Sequence, residues 1–172
     1  MDINAINNRL EKLTTLHINE LNPRKKLYIL LTLINIDIPN DICEAIDKII
    51  YSERSTPMNP ITSNSSNIIL YKGDITQLKV DAIVNAANSD MLGCFEPNHK
   101  CIDNIIHSKA GPRLRMACRK LKHSLSKNGS QYKLGTKACM TDAYCLPCQY
   151  ILHVAGPIFD SSNNQDNELA FS

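Results

Sequence analysis

The chain contains no tryptophan, and its other aromatics are only six Tyr and three Phe in 172 residues. A surface that stacks nucleobases needs clustered rings, so this composition argues against a nucleic-acid partner. Charge of one sign is equally scarce. Nineteen Lys and Arg against seventeen Asp and Glu leave +2, too little to hold a polyanion or an anionic membrane. No run of about eighteen apolar residues exists, so no membrane span is expected. The most apolar segment, "LYILLTLINIDIP" at 27–39, is interrupted by Thr32, Asn35 and Asp37. The opening "MDINAINNRLEKL" lacks the basic region, apolar stretch and cleavage site of a secretion signal. The patterns G-x-x-x-x-G-K-[ST], G-x-G-x-x-G and G-x-S-x-G are all missing. Standard nucleotide loops and the serine-hydrolase elbow are therefore unsupported.

Cysteine is plentiful by contrast. Seven cysteines without a secretion signal point to a reducing compartment, the cytoplasm, where thiols are free or bind metal. A composition of 43% apolar and 21% charged residues fits one ordinary domain, alone or with a small helical appendage. Such a chain buries a core without disulfide staples.

Periodicity divides the chain. Residues 1–54 read as a helical extension of three short helices. Ile6, Leu10, Leu13 and Leu16 share one face of the first. Asn22 and Pro23 open the second as cap and first helical residue. Asn40 or Asp41 caps the third, which buries Ile42, Ile46, Ile49 and Ile50. Residues 55–67, with two prolines and many small polar side chains, read as a linker. From 68 to 172 the pattern becomes that of an α/β domain. "IILY" at 68–71, "DAIVNAA" at 81–87, "TKACMT" and "YILHVAG" read as strands. Residues 102–110 and 112–125 read as helices broken at Gly111-Pro112. Ligands in such sheets bind beyond the carboxyl ends of strands, which is where the loop after Ala87 lies.

That loop carries the chemistry. Cys94, His99 and Cys101 form C-x4-H-x-C. Thiolate and imidazole suit Zn²⁺, and three ligands leave a fourth position open. Cysteine is also a common small buried residue, so the pattern alone leaves packing as the alternative. His107, on the following helix, is a candidate fourth ligand but is read first as a hydrogen-bonding core residue. Asp103 falls in the first turn of the following helix, where it caps or faces a ligand. Asp74 in "GDIT", Asn85 and Asn88 read most simply as turn formers. "CLPC" at 145–148 leads into a strand rather than opening a helix. It therefore lacks the helix dipole that activates a redox pair.

Together these segments resemble a known family. "LYKGDITQLKVDAIVNAANS" resembles the opening of a macrodomain, the ADP-ribose-binding α/β fold. "GCFEPNHKCIDNIIHSKAGPRLR" and "AYCLPCQYILHVAGPIF" resemble the zinc-containing branch of protein-ADP-ribose hydrolases, as does the helical start. The resemblance implies a macrodomain with a mixed sheet flanked by helices, preceded by the helical extension. It implies that Asp74 accepts from the adenine amino group, with the Ile75 backbone beside it. Asn88 would hold the distal ribose, Cys94, His99 and Cys101 would bind Zn²⁺, and Asp103 would orient water or a ribose hydroxyl. The implied activity is hydrolysis of the bond between ADP-ribose and a protein side chain. Cys145 stands where the family motif has Asn, and "HVAGP" replaces "HTVGP"; both are expected to be packing changes. The family pattern continues beyond the matched segments with further strands and a glycine-rich diphosphate loop. The expectation is thus an incomplete macrodomain. Three readings follow from it. The protein is a hydrolase acting on a mono-ADP-ribosylated protein, or a module that binds free ADP-ribose or an inactive remnant lacking the diphosphate loop, or a piece that works with a separate C-terminal half.

Overall fold

Side-chain caps set the helices of the N-terminal part, in a computed structural model that describes residues 1–59, 68–126, 133–134 and 137–156. Asp2 accepts from the Ala5 amide and starts α1, Ile3–Thr14. Asn22 accepts from the Lys25 amide and Pro23 occupies the first turn of α2, Pro23–Leu33, as its sequence predicts. The third helix differs from expectation. In α3, Asn40–Glu53, the capping position falls on Pro39 and no side chain caps it. Asn40 is engaged elsewhere, donating to Glu44 and accepting from Arg113. The apolar stripes meet in one core of Ile6, Leu10, Leu27, Leu30, Ile42 and Ile46, each at most 1% exposed. Leu13 does not join it; it is 44% exposed on the last turn of α1.

The linker region is docked at its start. Met58 forms a parallel bridge with Leu78. The remainder of the expected linker, 60–67, lies outside the described residues, as do most of the expected loop after Ser126 and the tail from 157. "IILY" at 68–71 is not a strand. Its β-branched composition carries strand propensity, but propensity yields a strand only where a neighbouring edge accepts it. Here Ile68 and Leu70 are 86% and 99% exposed.

The sheet has three described strands in the order β1-β3-β2. They are β1 Ala82–Ala86, β2 Cys139–Asp142 and β3 Tyr150–Val154. β1 pairs parallel with β3 and β2 pairs antiparallel, so the sheet is mixed. Helices α4, Ile102–Ala110, and α5, Pro112–Leu125, cross between β1 and β2 with the boundaries the sequence predicts. They cover one sheet face, burying Ile83, Ile106, Leu114, Cys118 and Ile151. On the opposite face Val84 and Met140 are 54% and 56% exposed. No helix among the described residues is long and apolar enough to cross a membrane.

"CLPC" marks the seam between the two cores. Cys145 packs with the N-terminal helices and Cys148 with the sheet. Cys145 donates to Asp47 Oδ1 at 3.3 Å, and burial pushes its thiol up to about 12. A thiol so far from ionisation is no redox nucleophile.

Gly111 closes the junction between α4 and α5 at φ +88°. A Cβ there would meet Asp47 Oδ1 at 3.1 Å and Ile50 Cδ1 at 3.2 Å. Gly111→Ala should therefore cost about 1–3 kcal/mol through backbone strain and crowding. Urea unfolding checks this, and an unchanged midpoint would show that the junction relaxes freely.

Candidate metal and ligand site

The loop joining β1 to α4 is held by its carbonyl groups. Asn88 turns the chain at the end of β1. Its Oδ1 accepts from the Asp90 amide and its Nδ2 donates to Gly93 O at 3.1 Å. Gly93, at φ +80°, lies so close over the His107 ring that a Cβ would come within 2.9 Å of it. Asn104, on the first turn of α4, donates to Glu96 O and His99 O, both at 3.0 Å. Arg115 on α5 donates to Leu92 O at 2.7 Å and Cys94 O at 3.4 Å. Sequence reading named Asn88 as a turn former, and that is borne out. It passed over Asn104 and Arg115, because a side chain that reaches a distant carbonyl leaves no local pattern.

This backing gathers the expected ligands. The donor atoms of Cys94, His99 and Cys101 all lie within 4.8 Å of one another. Cys94 Sγ is 3.4 Å from His99 Nδ1. Tetrahedral zinc with bonds of about 2.0–2.3 Å sets its ligands about 3.5–3.8 Å apart. The set is thus near ligating geometry and has the soft donors zinc favours. Cys101 also caps α4, its sulfur accepting from the Asn104 amide at 3.4 Å. One residue therefore ties the loop to the helix that presents Asp103.

Asp103 is 5% exposed. Its Oδ1 accepts from Asn85 Nδ2 at 2.8 Å. Burial raises its pKa, opposed by the Asn85 hydrogen bond and the Arg115 charge. Asn85 is no turn former. It sits fully buried inside β1, in register with His153 of β3. Its amide also reaches His153 Nδ1 at 3.2 Å, while His153 Nε2 lies 2.9 Å from Thr141 Oγ1. An amide nitrogen only donates, so Nδ1 is the acceptor and Nε2 carries the proton. Burial depresses His153 to about 4, and burial, then Arg115 and His153, hold His107 well below its ordinary value. Both imidazoles are neutral at pH 7. The 3.5 Å approach of His107 Nε2 to Asp103 Oδ1 is accordingly not an ion pair. Neither ring nitrogen of His107 has a hydrogen-bond partner among the described residues, against the core hydrogen-bonding role expected of it. His107, Cys118 and His153 also bring three donors together. Both nitrogens of His153 are already engaged there, and the Cys118 thiol is pushed up to about 12 by burial. That cluster reads as buried core, in which His153 is hydrogen-bonded and His107 only packs.

Asp74 and Ile75 lie apart from this end. Asp74 caps a short 3-10 turn, accepting from the Thr76 amide at 2.9 Å and from Gln77 Nε2 at 3.3 Å. Burial, which raises its pKa, is outweighed by the hydrogen bonds from the Thr76 hydroxyl, the Thr76 amide and Gln77, with Lys109 adding a favourable charge, so the pKa is lowered. Lys109 is on the last turn of α4, whereas Asp103 is on the first. A ligand touching both ends would lie along that helix. Ile75 packs against the sheet core.

The class defined by this fold is an α/β domain with a mixed sheet and a candidate ligand loop beyond its first strand. The chain belongs to the Macro domain family, whose model matches residues 84–171. It is 52% identical over 91 residues to a protein-ADP-ribose hydrolase of Staphylococcus aureus, covering 53% of this chain and 33% of that one. It is 48% identical over 102 residues to a protein-ADP-ribose hydrolase of Treponema medium, covering 59% and 38%. A solved macrodomain of Oceanobacillus iheyensis with ADPR is 35% identical, with a TM-score of 0.47 over 56% of this chain and 48% of that one. The chain thus spans about a third of the length of these curated relatives.

The buried histidines set an acid limit on stability. His153 falls from 6.5 when unfolded to about 4 when folded. Between those values the unfolded state binds the extra proton, so stability rises with pH. The contribution is complete above 6.5 and is lost progressively as pH falls towards 4; His107 acts in the same direction. Metal-free protein should lose on the order of 1–3 kcal/mol between pH 7 and pH 5 in urea unfolding. Stability that holds flat or rises over that interval would overturn the assignment.

Proposed function

We propose that the protein is a zinc-dependent hydrolase that removes ADP-ribose from modified protein side chains. One observation carries the reading. In a Macro domain chain, the Cys94, His99 and Cys101 donors converge on a loop leading directly into the helix turn that bears the buried Asp103. The names of the relatives support the reaction class.

Cys94, His99 and Cys101 would hold the ion, and all seven cysteines are free thiols, as a reducing cytoplasm would keep them. Zinc with an open position acts as a Lewis acid towards a substrate oxygen. The remaining work falls to the side chains. Asp103, oriented by Asn85 and raised by burial, accepts a proton from water or a ribose hydroxyl. Asn88, at the mouth of the loop, holds the distal ribose. Asp74 accepts from the adenine amino group, with the Ile75 backbone alongside. The substrate is a mono-ADP-ribosylated protein, and free ADP-ribose is the ligand left behind.

Zinc per chain and release of ADP-ribose from a modified protein test this together. The full chain should carry one zinc and turn over. Asp103→Ala should keep the metal and lose about 10²–10⁴-fold in rate, the usual worth of a positioned base. Cys101→Ser should lose both metal and turnover. Full occupancy without turnover in any of the three would defeat the hydrolase reading. Retained ADP-ribose binding in that case would favour a binding module.

A further inference from the structure

Arg115 joins two parts of the protein that the sequence reads as separate. Its Nη1 donates to Leu31 O, Thr32 O and Ile34 O at 2.7, 3.1 and 2.8 Å. Those carbonyls close the C-terminal end of α2, where helix carbonyls otherwise lack partners. Its other nitrogens hold Leu92 O and Cys94 O. The guanidinium also lies 4.5 Å from the centre of the Phe95 ring. One buried cation therefore bonds the carbonyl of a metal-ligand candidate, Cys94, that of Leu92 just before it, and three carbonyls at the end of a helix 81–84 residues earlier in the chain.

We propose that Arg115 is a positioning residue through which the N-terminal helices hold the Cys94–Cys101 loop in ligating shape. The inference rests on the metal reading of that loop. The helical extension is then part of the metal site, although none of its side chains is a ligand. The planar guanidinium suits the task because its fixed fork of donors reaches several carbonyls at once, whereas a lysine ammonium is a single point donor. Partners that orient ligands in this way typically matter 10–100-fold in metal affinity.

A control separates positioning from simple cohesion. Arg113, on the same helix, also reaches the N-terminal part, through Asp47 Oδ2 at 2.9 Å and Asn40 Oδ1 at 2.9 Å. Its bonds go to α3 and not to the loop. The test uses the full chain with Arg115→Met, Arg115→Lys and Arg113→Ala. Co²⁺ affinity and the Co²⁺ ligand-field spectrum are measured, together with alkylation rates of Cys94 and Cys101 in metal-free protein, all well below each variant's melting temperature. Arg115→Met should weaken Co²⁺ binding about 10–100-fold and speed alkylation of both thiols. Arg115→Lys keeps the charge and should fail to restore either property; it carries the test should Arg115→Met not fold. Arg113→Ala should lower the melting temperature while leaving affinity, spectrum and alkylation at wild-type values. Wild-type behaviour in both Arg115 variants, or equal losses in Arg113→Ala, would overturn the proposal. A wild-type chain that binds no Co²⁺ would defeat the metal reading, and the alkylation rates would still decide whether Arg115 holds the loop.

Discussion

A single buried cation organises this protein. Arg115 is only 7% exposed, and burial lowers its pKa to about 10, so it remains charged at neutral pH. Burying such a charge without partners is costly. Here the cost is met by carbonyl oxygens from two directions and by an aromatic face; among the described residues no carboxylate hydrogen-bonds to it. The arrangement constrains everything it touches. The end of α2, the start of α5 and the loop after β1 must all be in place for the guanidinium to be satisfied. Truncating Arg115 would strand carbonyls on both sides, while displacing either side would strand the cation.

Beside that cation the core carries an uncharged polar chain. Thr141, His153, Asn85 and Asp103 are linked in sequence from the sheet to α4. Every member except the carboxyl is neutral: burial alone keeps His153 uncharged, and the neighbouring His107 is kept so by burial, then by Arg115 and His153. The consequence for function is orientation. Asp103 cannot rotate without giving up Asn85, and Asn85 cannot move without breaking register with β3. The carboxyl beside the loop is thereby fixed by the sheet.

How much of this was legible beforehand follows from the range of each interaction. Features written locally were readable. Pro23 and Asn22 start α2, Gly111-Pro112 splits α4 from α5, and the short spacing of Cys94, His99 and Cys101 brings those residues together. Features that depend on a distant partner were not. Asn85 looks like a turn former because asparagine favours turns, yet His153, far along the chain, makes it a core residue. "IILY" has the composition of a strand, but strand pairing is a property of two segments. Arg115 was seen only as part of a motif, since nothing near it in sequence discloses five carbonyl acceptors.

The loop's own backbone shows why such distant support is needed. Met91, Gly93 and Asn98 take φ values of 61°, 80° and 68° within a single stretch. The left-handed region costs a residue such as Met about 1–2 kcal/mol, whereas Asn tolerates it, so Met91 would not hold this shape unaided. Met91 is nonetheless fully buried and packed with Ile106 and Ala110 in the sheet core. Carbonyls on either side of it are engaged: the Asn88 carbonyl by the Met91 amide, and those of Leu92, Gly93, Glu96 and His99 by side chains of Arg115, Asn88 and Asn104. Strain of this kind persists only where the surroundings over-determine it. The loop's shape is therefore supported by the protein around it. Under the proposed function, an ion or ribose at this loop would have to supply less of the entropy of ordering its partners.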